Sequence, residues 1–184
     1  MLNAALDNCI SRIRQVWSAQ PPENISVVEQ CIAELGQERG FISQVLSELG
    51  ESQAKEIHRD ANHGFVLTVY REVAGQYRIP HDHGEGWVVY TVLNGMMDMG
   101  GYTLDAAYQA GRPVRDSLVR LSSGESRTYL PGDIHDTLCI TDRVVILRFT
   151  SCDLKVEERE GRMKRYEIGK ELFPCSLEAA GQVE

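Results

Sequence analysis

The chain contains no apolar run close to the roughly 20 residues that span a bilayer. Its first 20 residues carry Asp7, Arg12 and Arg14 inside the apolar pattern, and no small-residue cleavage site follows, which argues against a secretion signal. Positive charge is scarce as well, with 19 Lys and Arg against 27 Asp and Glu and a net charge of −8. Because an acidic chain repels anionic surfaces at long range, we expect neither a nucleic-acid nor a membrane partner.

Paired cysteines are also missing. The cysteine count is five, which is odd, and no two cysteines have the CxxC spacing. We therefore predict reduced thiols in a cytoplasmic protein, with no disulfide frame and no zinc ribbon. The five residues are Cys9, Cys31, Cys139, Cys152 and Cys175.

The patterns that are present predict helices followed by strands. The first 50 residues carry apolar residues at helical spacing in three stretches, at about 2–17, 25–35 and 41–49. After residue 60, runs rich in β-branched and aromatic residues predict strands at 64–71, 87–93, 96–104, 117–122, 126–130 and 143–149, with a loop at 105–114. Many short strands with glycine turns are typical of a closed β-barrel or jelly roll. We predict a mainly β protein in which a helical segment (1–56) packs on a barrel (57–184) with a charged, loosely packed C-terminal tail, as one structural domain overall.

Five histidines offer a candidate metal site. His81 and His83 flank Asp82 at the predicted start of a strand, where residues i and i+2 point to the same face. Metal–nitrogen bonds of about 2 Å require imidazoles this close together. His135, which follows a Pro-Gly turn, is the candidate for the third ligand. His58 and His63 lie outside this pattern, so surface or supporting roles are expected for them.

Two segments resemble the motifs of a known family. The run 79–87 (IPHDHGEGW) resembles the first cupin motif, and 124–135, ending in PGDIH, resembles the second. The PHDHG run is most similar to the cysteine dioxygenase-type, or thiol dioxygenase-like, cupins, and the resemblance covers roughly residues 59–151. It implies a single cupin jelly-roll barrel with an N-terminal helical extension. It also implies a mononuclear Fe(II) on His81, His83 and His135 with dioxygen as co-substrate, while Zn, Ni, Mn or Co are alternatives.

The chain departs from that family at several positions. Many cupins carry a glutamate ligand four or five residues after the second histidine, where this chain has Trp87 and Val88. Thiol dioxygenases place the His and Tyr of a Ser-His-Tyr relay on a late strand, where this chain has Arg148, Thr150 or Cys152, depending on the register. The cysteine that animal cysteine dioxygenases crosslink to that tyrosine falls on Val88. These departures argue against strict cysteine dioxygenase activity.

Two arginines are candidates for binding a substrate anion. Arg59 lies about as far before the first metal histidine as the arginine that binds the substrate carboxylate in cysteine dioxygenases. The alternative is a surface arginine paired with Asp60. Arg148 is a charged residue in an otherwise apolar strand, so it is either a cation of the pocket or a residue on the solvent face.

Other candidates lie close to the histidines in sequence. Glu85 has the strand parity to face the pocket and is a candidate catalytic base. Trp87 and Tyr77 are candidates for substrate contact, although aromatic residues in small barrels commonly pack in the core. Asp82 and Asp136 either hydrogen-bond the metal-site imidazoles or are solvated turn carboxylates.

Taken together, the sequence favours a non-heme Fe(II)-dependent dioxygenase that oxidises a small anionic substrate, by thiol oxidation or C–C cleavage. Three neutral imidazoles leave the charge of the metal uncompensated, which favours a bidentate anion and still leaves room for dioxygen. The alternatives are a non-oxidative metal-dependent lyase, isomerase or decarboxylase and a small-ligand-binding cupin. A homodimer is compatible with the sequence, which does not fix the oligomeric state.

Overall fold

The computed structural model describes residues 4–17, 25–50, 53–105 and 111–167. It contains three N-terminal helices, α1 (Ala4–Val16), α2 (Ile25–Gln37) and α3 (Arg39–Leu49), which confirm the helices predicted from apolar spacing. Within these described ranges, every helix is too short or too polar to traverse a bilayer.

The strands form two antiparallel sheets. In the described part of the chain, one sheet has the strand order β1-β2-β9-β4-β7 and the other β3-β8-β5-β6. The mainly β fold is therefore confirmed, while closure of the sheets into a barrel stays a prediction. The strands are β1 (Ala54–Arg59), β2 (Val66–Glu72), β3 (Tyr77–His81), β4 (Val88–Asn94), β5 (Met96–Asp105), β6 (Arg112–Ser122), β7 (Ser126–Tyr129), β8 (Ile134–Cys139) and β9 (Val144–Thr150).

Strands β1 and β3 were not predicted from the sequence. Both lie at the edge of a sheet, where one side of the strand has no partner strand to require apolar alternation. β3 also contains Pro80, a residue that sheets tolerate at edges. The predicted loop at 105–114 is wrong at its end, because β6 begins at Arg112.

The core is divided between the two faces of the five-stranded sheet. Along β9, Leu147 and Phe149 face the helices and belong to one apolar cluster. Ile146, the residue before Leu147, belongs to a second cluster that includes Met97 and Met99 of the other sheet. Because side chains alternate across a strand, β9 contributes to both clusters and also brings side chains into the space between the sheets.

The C-terminal region packs more closely than predicted. After α4 (Leu154–Arg159), residues 161–166, here named the strap, run beside the histidine segment. Asp82 accepts hydrogen bonds from the Lys164 backbone N–H (2.9 Å) and the Tyr166 hydroxyl (2.9 Å), and His81 forms an antiparallel bridge with Arg165. The prediction of loose packing was therefore wrong for the strap.

Residues 168–184, including Cys175, lie outside the described residues. The other cysteines, Cys9, Cys31, Cys139 and Cys152, are free thiols.

Candidate metal centre

The three histidines come from one pair of strands and the turn beside it. His81 is the last residue of β3 and is paired directly with His135 of β8 in the antiparallel ladder. The prediction that the histidine pair begins a strand was wrong, because it lies where β3 ends. Past His81 the chain turns, with Gly84 at a positive φ of 62° and its N–H donating to Asp82 Oδ1 (3.1 Å). This turn, rather than strand alternation, brings His83 next to the other two rings.

The candidate ligand nitrogens lie at distances suited to one ion. His83 Nε2 and His135 Nε2 are 3.4 Å apart, and the candidate ligand atoms of all three histidines lie within 4.8 Å of one another. His81 Nδ1 is 2.8 Å from the Ile79 carbonyl oxygen, so Nδ1 carries the proton and the Nε2 lone pair is free. The three rings are buried, and those of His83 and His135 are 0% exposed.

The electrostatics of the site fit a metal cation. Burial lowers the pKa of His81 and holds the pKa values of His83 and His135 well below the ordinary value. The neighbouring imidazoles and the charge of Arg148 lower the pKa of His83 and of His135 further. All three rings are therefore neutral at physiological pH, which is the protonation state in which imidazole ligates a metal. The donor set of three neutral nitrogens fits a divalent transition-metal ion and does not distinguish one such ion from another.

A cavity of about 560 Å³ lies between the two sheets, with His81 in its wall. Its volume falls in the range of roughly 300–1,000 Å³ that is usual for small-molecule sites. The strap and α4 form part of the wall through Leu154, Met163 and Arg165. Strand β3, which carries His81, and the strap thus both contribute to the wall of the same cavity.

Arg148 lies in the wall of this cavity, as one of the two sequence interpretations predicted. Its strand, β9, lies between β2 and β4, and its guanidinium carbon is 4.7 Å from the centroid of the Tyr70 ring. The buried Nε has no hydrogen-bond partner, and no carboxylate of the described residues forms an ion pair with Arg148. By contrast, Arg78 and Arg165, which also line the cavity, are paired with glutamates.

Tyr90 belongs to the site but was not identified from the sequence. It is buried on the cavity side of β4, and its hydroxyl lies 3.4 Å from His83 Nε2. Arg148 lies near enough to the Tyr90 phenol for its charge to act on it. Burial raises the pKa of Tyr90, so desolvation alone keeps the phenol protonated. The alternation of β4, with Val88 and Val92 on the same face, was the signal that could have placed this tyrosine beside the histidines.

Three predicted site residues lie elsewhere. Arg59 is on the surface and donates to both carboxylate oxygens of Glu56 and to Asp153, rather than to Asp60. Glu85 is exposed and is not part of the cavity wall. Trp87 is fully buried on the helix side of the sheet, with its ring centroid 4.9 Å from that of Phe149. The structure thus does not bring these residues to the histidines.

The remaining candidates have structural partners. Tyr77 lines the cavity and donates to Asp136 Oδ2 (2.9 Å). The buried Asp136 carboxylate also accepts hydrogen bonds from Tyr102 and Arg115, and the Asp82 carboxylate holds the strap. His63 lies 3.0 Å from the Asp60 carboxylate, and His58 lies 3.6 Å from it, on the helix side of the sheet.

Comparisons with known proteins find similar solved structures but no matching family. No protein-family model matches the chain, and no curated protein matches it. Among solved structures, it is similar to the cupin domain of Schizosaccharomyces pombe Cnp3, with 14% identity over 60% of this chain and 73% of that chain and a TM-score of 0.42. It is also similar to the hydroquinone 1,2-dioxygenase PnpCD in complex with Cd²⁺ and 4-hydroxybenzonitrile (16% identity, 59% and 69% coverage, TM-score 0.45). A third similar structure is the DMSP lyase DddQ from Ruegeria pomeroyi, with 17% identity over 55% of this chain and 47% of that chain and a TM-score of 0.41. Cupin-domain proteins are thus among the structures that this chain resembles, and those structures include enzymes of different classes.

Proposed function

We propose that this chain is a cupin-type, non-heme Fe(II)-dependent dioxygenase that oxidises a small anionic substrate with O2. One observation carries the proposal: three buried, neutral imidazoles converge beside a cavity that also contains an arginine with no carboxylate partner among the described residues. The two features are complementary, because the metal would bind one end of a substrate and the arginine would bind its negative charge.

His81, His83 and His135 would hold the metal ion. A bound iron supplies Lewis acidity and the capacity to exchange electrons with dioxygen, whereas Zn, Ni, Mn or Co would bind the same nitrogens with different reactivity. Burial of the three rings keeps them deprotonated at neutral pH, so protons do not compete with the metal for the lone pairs. The surrounding apolar residues limit access of water to the site.

Arg148 would bind and orient the substrate anion. A guanidinium offers two parallel N–H groups to a carboxylate, and the Tyr70 ring beneath it limits the directions in which they can point. Tyr77 would form part of the wall that contacts the substrate. Arg148 also stands at one of the two positions at which thiol dioxygenases carry the histidine of their relay, so we favour C–C bond cleavage over oxidation of a simple thiol.

Metal analysis followed by oxygen uptake tests the proposal. Protein purified without added metal is analysed for bound metals, stripped, and reloaded separately with Fe(II), Zn(II), Ni(II), Mn(II) or Co(II). Oxygen consumption is then followed with small thiols, β-dicarbonyls and dihydroxylated aromatic acids. We expect consumption with the Fe(II) form alone. Turnover of a substrate by the Zn or Ni form without oxygen would overturn the dioxygenase and favour a lyase or isomerase instead.

A further inference from the structure

The Tyr90 hydroxyl lies close to the candidate metal ligands, although the proposed function gives it no role. Its hydroxyl oxygen lies 3.4 Å from His83 Nε2, and His135 Nε2 lies at the same distance from that nitrogen. A buried tyrosine hydroxyl usually finds a hydrogen-bond partner. Here the hydroxyl is directed to the nitrogen that faces the metal position.

The spacing agrees with coordination of a common ion. Two ligand atoms that each lie about 2.0–2.1 Å from one metal are roughly 2.8–3.0 Å apart at octahedral angles and roughly 3.3–3.4 Å apart at tetrahedral angles. The separation of the two histidine nitrogens satisfies this condition, and so does the separation of the tyrosine oxygen from His83 Nε2. Tyr90 thus offers an oxygen donor beside the histidines of a chain whose first motif lacks the glutamate ligand.

The charge around Tyr90 favours a ligand that carries a negative charge. The charge of Arg148 acts on the Tyr90 phenol, and no carboxylate of the described residues pairs with that guanidinium. Three neutral imidazoles also leave a divalent or trivalent ion without any compensating charge. A phenolate between the cation of Arg148 and the metal would be stabilised from both sides.

We propose that the Tyr90 oxygen is a fourth protein ligand of the metal held by His81, His83 and His135. The proposal rests on the metal site of the proposed function. On coordination the phenol O–H bond breaks, the proton passes to solvent, and a metal–oxygen bond forms. Four protein ligands leave a six-coordinate ion two open positions instead of three. Substrate and dioxygen can then bind together only if the substrate binds the metal through a single atom, with its anionic group at Arg148.

The absorption spectrum of the ferric protein tests this ligand directly. The chain is loaded anaerobically with Fe(II) and oxidised with ferricyanide, and the excess oxidant is removed by gel filtration. A phenolate bound to Fe(III) gives an intense visible charge-transfer band, which imidazole ligands do not give. We expect the band in the unaltered chain, its loss in Tyr90→Phe, and its retention in Tyr129→Phe, whose ring stacks on His135 at 3.9 Å. Tyr90→Phe is further expected to bind Zn(II) at least about tenfold more weakly.

The outcomes separate the fourth ligand from the metal site itself. Iron bound stoichiometrically with no visible band, or with a band that persists in Tyr90→Phe, overturns the tyrosine ligand and leaves the three-histidine site standing. Failure of both Fe and Zn to bind the unaltered chain overturns both proposals. Circular dichroism shows whether Tyr90→Phe has lost its fold. If it has, the spectrum of the unaltered chain decides, because absence of the visible band from its ferric form would still refute Tyr90 as a ligand.

Discussion

The Arg148 guanidinium carbon lies 4.7 Å from the centroid of the Tyr70 ring, so an aromatic face, and no carboxylate of the described residues, lies against this cation. A cation–π contact orients a guanidinium without neutralising it. The positive charge therefore stays available to a ligand in the cavity.

Loss of that charge is expected to weaken anion binding. Arg148→Met is predicted to reduce the affinity for a carboxylate ligand by roughly 10–100-fold, because hydrogen bonds to charged groups contribute about 1.5–3 kcal/mol. Titration calorimetry with benzoate as the probe measures this effect on the metal-loaded protein. Arg120→Met is the matched control, since Arg120 is paired with Asp98 on the surface. Equal affinities in both variants would remove Arg148 from the substrate site.

Removal of one histidine is expected to abolish stoichiometric metal binding. His135→Ala deletes a ligand from the centre of the triad but leaves the helix-side cluster intact, so the chain should remain folded. Metal content by mass spectrometry and the far-UV circular dichroism of the same samples check the two statements. The His63→Ala variant, in which the substitution lies outside the triad, should retain the metal at the three-histidine site. A normal metal content in His135→Ala would show that the ion binds elsewhere.

Gly36 marks a close approach of helix α2 to the sheet. A Cβ at this position would overlap Thr91 Cγ2 of β4, so Gly36→Ala is expected to destabilise the fold by about 1–3 kcal/mol. Thr91→Ser removes that methyl group and keeps the hydroxyl, which bonds Ser126 Oγ at 2.7 Å. The double variant should therefore regain part of the lost stability in urea unfolding. If the losses of stability in the two single variants simply add in the double variant, the clash is relieved by some other movement.

The buried Asp60 carboxylate is expected to make stability depend on acidic pH. Burial acts to raise the pKa of Asp60, but hydrogen bonds from Arg14, His63 and Asn62 outweigh it and hold the pKa well below the ordinary value. The folded state thus binds this proton less readily than the unfolded chain, so the stabilisation is complete above about pH 4 and is lost as the pH falls further. Asp60→Asn should cost about 1–3 kcal/mol at neutral pH.

Urea titrations from neutral pH down to about pH 3 check this dependence. The difference in the free energy of unfolding between the unaltered chain and Asp60→Asn should shrink as the pH decreases below about 4. Glu48→Gln, which breaks an exposed pair with Lys55, should change stability by less than about 1 kcal/mol at any pH. A difference that stays constant across the range would show that Asp60 acts through its shape and not through its charge.

Local sequence patterns predicted the parts of this molecule that depend on interactions between residues close in sequence. The three helices follow from apolar spacing, and the metal triad follows from histidines that flank a turn at two places in the sequence. Arg148 could be identified as unusual because charge is costly inside an apolar strand, although its face could not be chosen without knowing the register of β9.

The residues that sequence reasoning misplaced depend on long-range pairing. Arg59 lies among carboxylates, one of them 94 residues away at Asp153, which a count of residues before a histidine cannot reveal. Glu85 has the parity of a pocket residue, but β3 ends at His81 and the chain then turns, so strand alternation no longer applies there. Tyr90 was overlooked because it lies in a strand that reads as uninterrupted core, and only the packing of the second sheet shows which face holds the histidines.

Strand β9 is paired on both sides, with β2 and with β4, and every residue from Val144 to Thr150 lies opposite a residue of β2. A shift of this strand by one residue would turn Arg148 toward the helices and bring Leu147 to the cavity, with a guanidinium stranded in hydrocarbon as the result. The pairing of β9 with β2 and with β4 therefore fixes the direction of the Arg148 side chain as well as the fold. Any lesion that loosens the alignment of this central strand should abolish ligand recognition and folding together, whereas changes in the helical layer can alter stability while leaving recognition intact.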